Sequence, residues 1–355
     1  MIKNIKMKNT TFILQALITL LMVTSCNTKK DIKVIDLQSE FAYNDTIPPS
    51  VHAATLEEIS NNQLIAAWFG GSYEGAKDVG IYSAFYTQNK WQKPTQLVQP
   101  PVINNDTLAC WNPVLFKSKS NKLYLFYKAG KNPREWFGAL ITSDDEGQSW
   151  TEPMYLPDGF LGPIKNKPVE LIDGQIICGS STESIEGNIW RAHVEIFNEA
   201  DNTWKMVEIP NTKHLEVIQP TFIPHPDNKL EMLCRSKHNK VVTAWSDYSG
   251  TNWSELDTIN VVNSNSGIDA IAIDDDLFLM VNNPLKQGPD WFYGRNILDV
   301  EYSTDGVNWN KLFDLENEEK GQFSYPAIIQ TSDKTIHVLY TYNREGIKHT
   351  QFRIE

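Results

Sequence analysis

Four residues with a polar group stand immediately before a proline at matching places along the chain. Asn112, Lys167, Gln219 and Tyr325 precede Pro113, Pro168, Pro220 and Pro326. His52, and Ser266 with Asp269, take the corresponding places in two further segments. Together they offer a phenol, an imidazole, a carboxylate, an ammonium and two amides, the groups needed for acid/base or nucleophilic work. A second set follows these places in sequence: Trp68, Glu74, Asp78, Lys128, Trp136, Glu183, Arg191, His193, Arg235, Asn282, Arg295 and Arg344. It supplies cations for an anionic group, carboxylates and His193 for proton transfer, and indoles for stacking on a sugar face. Taken singly, each has a plainer reading. Arg191 and Arg344 are expected to be solvated, and Asn112, Gln219 and Ser266 can satisfy backbone groups at strand ends. As a set they matter only if the fold brings them to one place.

The repeat that would do so is marked by tryptophans. Trp91, Trp150, Trp204, Trp253 and Trp309 are separated by 59, 54, 49 and 56 residues. The run Ser143-Asp-Asp145-Glu-Gly147-Gln-Ser-Trp150 has a shorter copy ending at Trp309 and a degraded one at Trp253. Recurring where no site could be shared, these tryptophans are expected in the core. Strand-like segments flank each turn. Six opening strands begin near His52, Asn112, Lys167, Gln219, Gly267 and Tyr325, and each is followed by a second apolar strand such as Lys122 to Tyr127 and a third such as Gly138 to Thr142. A fourth strand follows each of the five tryptophans, but the sixth unit ends at Glu355 without one. Ile32 to Leu37 is strand-like and belongs to no unit, so pairing it with Ile347 to Ile354 would close a ring and remove an exposed edge. The expected fold is an all-β, six-bladed β-propeller over residues 32–355. Its first strands line the axis, and the places named above open on one face.

The first 26 residues are read as an export signal. Lys3, Lys6 and Lys8 precede an apolar stretch, Phe12 to Val23, that is too short to span a bilayer. Val23-Thr-Ser-Cys26 resembles a bacterial lipoprotein cleavage box, so Cys26 is expected to carry lipid and residues 27–31 to form a tether. This places the mature chain on the periplasmic or outer-membrane surface of a Gram-negative cell. Cys110, Cys178 and Cys234 are odd in number and sit in or beside apolar strands, which points to buried free thiols rather than disulfides or a metal site. A net charge of −12 argues against nucleic acid as a partner, while leaving room for a local basic pocket. No cofactor or metal is expected, and the chain is expected to be a monomer.

A six-bladed propeller with Asp-box turns resembles the sialidase superfamily, and in particular its bacterial and plant sialidase-like BNR-repeat proteins. The likeness rests on His52-Ala-Ala-Thr, Ala67-Trp-Phe-Gly-Gly-Ser-Tyr-Glu-Gly-Ala-Lys-Asp78-Val, Trp111-Asn-Pro-Val-Leu-Phe, Leu161-Gly-Pro-Ile-Lys-Asn-Lys-Pro-Val, Asn265-Ser-Gly-Ile-Asp and Phe323-Ser-Tyr-Pro-Ala. Such enzymes hold a sugar carboxylate with three arginines, use a tyrosine nucleophile activated by a glutamate, and use an aspartate as acid/base. The resemblance implies that Tyr325 is the tyrosine, Asp78 the acid/base and Arg295 one arginine. Elsewhere the pattern departs. The first arginine position falls at Pro-Ser-Val-His52, the second near Asn239 or Lys240, and the glutamate position at Gln219. One arginine cannot reproduce multidentate carboxylate recognition, and glutamine cannot serve as a base. These departures point away from sialic acid and toward another anion, a uronic acid or a sulfated sugar held by Arg235, Lys128 and Lys167.

Three functions are compatible with these residues. The first is an exported glycosidase acting on a terminal acidic sugar of a glycan or oligosaccharide, with Asp78 as general acid and Tyr325, or a water activated by Glu74 or Glu183, on the other side. The second is elimination on a uronic acid, with His52 or His193 removing the proton beside the carboxylate and Tyr325 protonating the leaving oxygen. The third is glycan binding without turnover, with Trp68, Trp136 and Trp291 stacking on sugars.

Overall fold

The computed structural model describes residues 32–60 and 62–355; Cys26, the signal segment and the tether lie outside them. Six antiparallel sheets follow one another along the chain as blades 1 to 6. Blade 2 shows the plan: Ala109–Lys117, Leu123–Gly130, Phe137–Ser143 and the short outer strand Met154–Tyr155 run from the axis outward. Blade 1 begins with Ser50–Ser60, blade 3 with Val169–Glu170, blade 4 with Val217–His225, blade 5 with Asp269–Asp274 and blade 6 with Phe323–Gln330. A small hairpin between blades 1 and 2, Val102–Ile103 with Asp106–Thr107, was not foreseen in the repeat.

The ring closes as the repeat requires, over a longer stretch than the one expected. Val34–Tyr43 is the outer strand of blade 6 and pairs antiparallel with Gly346–Ile354, from Val34 opposite Ile354 to Tyr43 opposite Ile347. Lys33 and Glu355 extend the ladder with two backbone hydrogen bonds of 2.9 Å. The last blade is thus stitched by both ends of the described chain, and the edge of Gly346–Ile354 is covered.

Second strands are apolar runs rather than alternating ones because both of their faces are covered by neighbouring blades. Leu123–Gly130 is buried at every position. Six separate apolar clusters result, one between each pair of adjacent blades. Cys110, Cys178 and Cys234 lie within these clusters, buried and unpaired. The turns before three tryptophans share one bonding scheme. The indole N–H of Trp150, Trp253 and Trp309 donates to the carbonyl of Gly147, Gly250 and Gly306 at 3.0, 2.9 and 2.7 Å. Those glycines sit at φ of 84°, 64° and 77°, where a side chain would be strained.

One local feature sets up the axis. In blades 1, 2, 4 and 6 the first strand slips register beside its second strand, and a non-glycine residue at the slip adopts left-handed φ: Ala53 at 56°, Asn112 at 39°, Gln219 at 57° and Tyr325 at 55°. Such bulges re-aim the side chains around them. Proline follows in three of the four, where its missing N–H costs no ladder bond.

Candidate active site at the axial mouth

Tyr325 is the centre of the site. Its left-handed backbone costs about 1–3 kcal/mol, and its hydroxyl is held by two donors. Arg235 Nη1 donates to it at 3.0 Å and Gln219 Nε2 at 3.1 Å. Both donors come from blade 4, Gln219 from its bulge and Arg235 from the end of Lys229–Ser236. Arg235 is further fixed by Asn265 Oδ1 at 2.9 Å and Gln219 Oε1 at 3.2 Å. Two donors converging on one oxygen fix the position of the hydroxyl.

His52 lies against the same ring, with centroids 4.2 Å apart. It comes from the first strand of blade 1, one residue before the bulge at Ala53, and is buried. Its Nδ1 meets Thr341 Oγ1 at 2.8 Å, and its buried Nε2 has no partner among the described residues. Burial first, and then the charges of Arg344, Arg295, Lys165 and Arg235, hold the imidazole well below its ordinary pKa, so it is neutral at physiological pH.

Four cations therefore surround the His52/Tyr325 pair, each from a different blade. Arg295, from the connection ahead of the third strand of blade 5, sits 6.0 Å from the Tyr325 ring centre and donates to the Asn265 carbonyl at 3.2 Å. Its Nε is buried without a partner among the described residues, and burial together with Arg235 lowers its pKa to about 9. Lys165, just before the first strand of blade 3, lies 6.0 Å from the same ring and bonds the Ile268 and Pro326 carbonyls. Burial lowers its pKa to about 7 against the opposing pull of Asp269. Arg344 comes from the turn between the second and third strands of blade 6 and pairs with Glu74. Its turn is fastened to blade 1 by a bond from Val51 N to the Arg344 carbonyl at 2.8 Å. Trp291 stacks on both Arg295 and Arg344, with guanidinium carbons 5.2 and 4.8 Å from its ring centre.

Several expectations are corrected by this geometry. Arg344, read as solvated, belongs to the cation ring. Arg235 reaches the Tyr325 hydroxyl at 3.0 Å, and Arg344 adds its charge beside His52 although the matching blade 1 position has no arginine. Three guanidinium groups, Arg235, Arg295 and Arg344, therefore gather at the axis, where the resemblance implied Arg295 alone. Lys165 was missed; only its place two residues before Lys167 could have signalled it. Trp68 is not at the mouth. Strand alternation turns it into the core between blades 6 and 1, against Tyr43 at 5.7 Å, while Phe69 faces blade 2. Lys128 is fully buried and bonds the Pro163 carbonyl, with its pKa lowered by burial to about 7. His193 is buried as well, bonded through Nε2 to Glu195 at 2.9 Å, and does not join the axial cluster.

The remaining candidates lie around this centre. Lys167 is bound to Asp269 at 2.8 Å. Asp269 also accepts from Thr221 and the backbone of Ala270 and Ile328. Burial would raise its pKa, but Lys167 and Lys165 outweigh that and lower it. This pair ties blades 3, 4, 5 and 6 together across the axis. Asn112 holds the equivalent bulge in blade 2 and is buried. Asp78 is exposed in the 72–79 connection of blade 1. Hydrogen bonds from the side chain and backbone of Ser72 keep it ionised below the usual carboxylate range. The same connection carries Glu74 to Arg344. Trp136 and Glu183 line a separate cleft between blades 2 and 3, and Arg191 is exposed as expected.

Residues 62–338 match the BNR repeat-like domain. No curated protein matches the sequence. Solved structures share the fold at low identity. A protein of unknown function from Dyadobacter fermentans superposes with a TM-score of 0.74 at 13% identity, covering 91% of this chain and 99% of its own. A Hadza microbial sialidase gives 0.73 at 14%, with coverages of 89% and 68%. The intramolecular trans-sialidase of Ruminococcus gnavus gives 0.68 at 14%, with 88% and 96%. With the repeat, the closed six-bladed ring and this match over most of its length in agreement, the chain belongs to the BNR repeat-like family and has a sialidase-like propeller fold.

Proposed function

We propose that this chain hydrolyses the bond to a terminal acidic sugar of a glycan, with Tyr325 as nucleophile and His52 as its base. The observation that carries this reading is the ring of Arg235, Arg295, Arg344 and Lys165 around a tyrosine in contact with a neutral imidazole. Three guanidinium groups can bind one carboxylate or sulfate by multidentate charge-assisted bonds. Their mutual repulsion in a partly buried site is relieved when an anion enters. In the tautomer that donates Nδ1–H to Thr341, His52 keeps a lone pair on an unpartnered Nε2 in a ring packed 4.2 Å from that of Tyr325, and it would take the role that Gln219 cannot.

In the first step Tyr325 Oη bonds to the anomeric carbon, its proton passes to His52 Nε2, and the glycosidic C–O bond breaks. The leaving oxygen takes a proton from solvent at the exposed end of the site, since Ser72 holds Asp78 ionised. In the second step water attacks the tyrosyl–sugar bond, its proton passes to Asp78 and on to solvent, and the departing phenolate recovers the proton held by His52. Asp78 suits the second step, since Ser72 keeps it ionised and able to accept a proton. The test is incubation of the protein and its Tyr325→Phe variant with sialosides, uronides and sulfated oligosaccharides, read by new reducing ends.

Elimination on a uronic acid is the second reading, favoured by the free, neutral Nε2 of His52, which could take a carbon-bound proton while Tyr325 protonates the leaving oxygen. Unsaturated-uronate absorbance in step with product, without water incorporation, would select it over hydrolysis. We also propose, on Val23 to Cys26 alone, that the mature chain is exported and lipid-anchored.

A further inference from the structure

A cleft of about 230 Å³ opens between blades 2 and 3 on the face that carries Arg235 and Arg344, and none of the steps above uses it. Its walls are Phe137, Leu156 and Phe160, with Trp136, Arg134 and Glu183 among the lining residues. Apolar and aromatic faces with a few polar groups suit a sugar, whose C–H face stacks while its hydroxyls bond at the edge. The Arg134 and Glu183 side chains form no ion pair among the described residues, and the buried indole N–H of Trp136 has no acceptor among them.

The cleft is also built rather than incidental. The wall at residues 157–162 is pinned from behind, because Glu195 accepts from Leu161 N at 3.1 Å and Gly162 N at 2.7 Å. His193 Nε2 meets the other oxygen of that carboxylate at 2.9 Å. This buried pair, idle in the axial chemistry, positions the cleft wall.

A row of rings, buried at Phe69 and Trp111, runs beneath the surface from the cleft to the axis and fixes the spacing of the two. Tyr325 touches His52 at 4.2 Å, His52 touches Phe69 at 5.5 Å, Phe69 touches Trp111 at 5.9 Å and Trp111 touches Trp136 at 6.1 Å. The geometry points to this cleft as a second saccharide subsite, which holds the neutral sugars that follow the acidic residue seated at Tyr325. Substrate then lies across blades 1 and 2 toward blade 3, and the enzyme is selective for oligosaccharides over monosaccharide glycosides. This inference rests on the acidic-sugar reading of the axial site for the direction of the chain, but the cleft can be tested separately.

The experiment titrates the full mature chain, carrying Tyr325→Phe to prevent turnover, with three probes: an acidic monosaccharide, a neutral disaccharide, and an oligosaccharide that joins the two. Each is repeated after Phe160→Ala, after Arg134→Ala and after Arg295→Ala. Arg134→Ala changes a side chain with no hydrogen bond or ion pair among the described residues, so it covers the case in which Phe160→Ala fails to fold. The oligosaccharide is expected to bind at least about tenfold more tightly than the monosaccharide. Either cleft variant should remove that gain and the weak binding of the neutral disaccharide, with the monosaccharide unchanged. Equal affinity for long and short probes, or cleft variants without effect, would overturn the subsite while an Arg295-dependent monosaccharide site still stood. Cleft-dependent binding of the neutral probe with no contribution from the acidic sugar or Arg295 would support the subsite and overturn the axial reading. Absence of binding by all three overturns both.

Discussion

Replacing Tyr325 by phenylalanine removes one oxygen and separates the chemical from the structural role of the site. The hydroxyl accepts one bond from a charged donor, Arg235 at 3.0 Å, and one from the Gln219 amide at 3.1 Å. Arg235 keeps two other acceptors, so its loss is at the low end for a charged bond, about 1.5 kcal/mol, with about 0.5–1 for Gln219. The total is about 2 kcal/mol. For a domain of about 320 residues, with unfolding entropy of about 2.1 cal/mol/K per residue, that lowers Tm by about 3 °C. Turnover should fall by about 10³-fold or more, since the atom that forms the covalent bond is gone. Binding of an acidic sugar should weaken by less than about tenfold, the worth of one hydrogen bond. Thermal unfolding and reducing-end release on the same preparation measure both numbers. A variant that loses the 3 °C but keeps full turnover would refute the nucleophile assignment and leave Tyr325 as a strut for Arg235.

Arg344→Ala and Arg295→Ala should each weaken binding of an acidic sugar by about 10- to 100-fold and of its neutral analogue by under about threefold, read by calorimetry. Arg344→Ala without such discrimination would return that residue to the solvent-exposed role its position in the chain suggested. Acid should destabilise the ring at its closure. His337 is buried beside His349, at 3.0 Å from it, and burial followed by that neighbour lowers its pKa to about 3. Its folded pKa lies below the unfolded value of about 6.5, so its contribution is complete above pH ~6.5 and is lost as pH falls toward 3, by about 1.4 kcal/mol per pH unit. Urea midpoints at pH 7, 5.5 and 4 should show this slope, and His337→Gln should flatten it; an unchanged slope would count against the burial argument. Finally, Cys26→Ser should move the protein from the membrane to the soluble fraction, and retention of the variant in the membrane fraction would end the lipoprotein reading.

Local, repeated chemistry was legible along the chain. Gly147, Gly250 and Gly306 before their tryptophans mark turns because only a left-handed backbone there lets the indole reach the glycine carbonyl, and that constraint acts within a few residues. The lack of a fourth strand after the sixth repeat, with an unassigned strand at the other end, predicted the closure seen between Val34–Tyr43 and Gly346–Ile354. That Tyr325, His52 and Arg295 lie together follows from the repeat, which places them at the axis whatever the details of the side-chain packing.

Which partner each residue meets was decided only in three dimensions. Trp68 and Phe69 are neighbours in sequence and face opposite blades, and because both faces of their strand are buried, apolar patterning along the chain does not tell which neighbour each one meets. Lys128 and His193 hold second- and third-strand positions like those of functional loops, yet the 157–163 segment folds over them and turns both inward. The three guanidinium groups come from blades 4, 5 and 6, and a search by alignment expects each at its own repeat position. Around a closed ring, a long side chain from the turn of blade 6 reaches the space beside His52 in blade 1, because the axis places the last blade against the first; distance along the chain carries no trace of that contact.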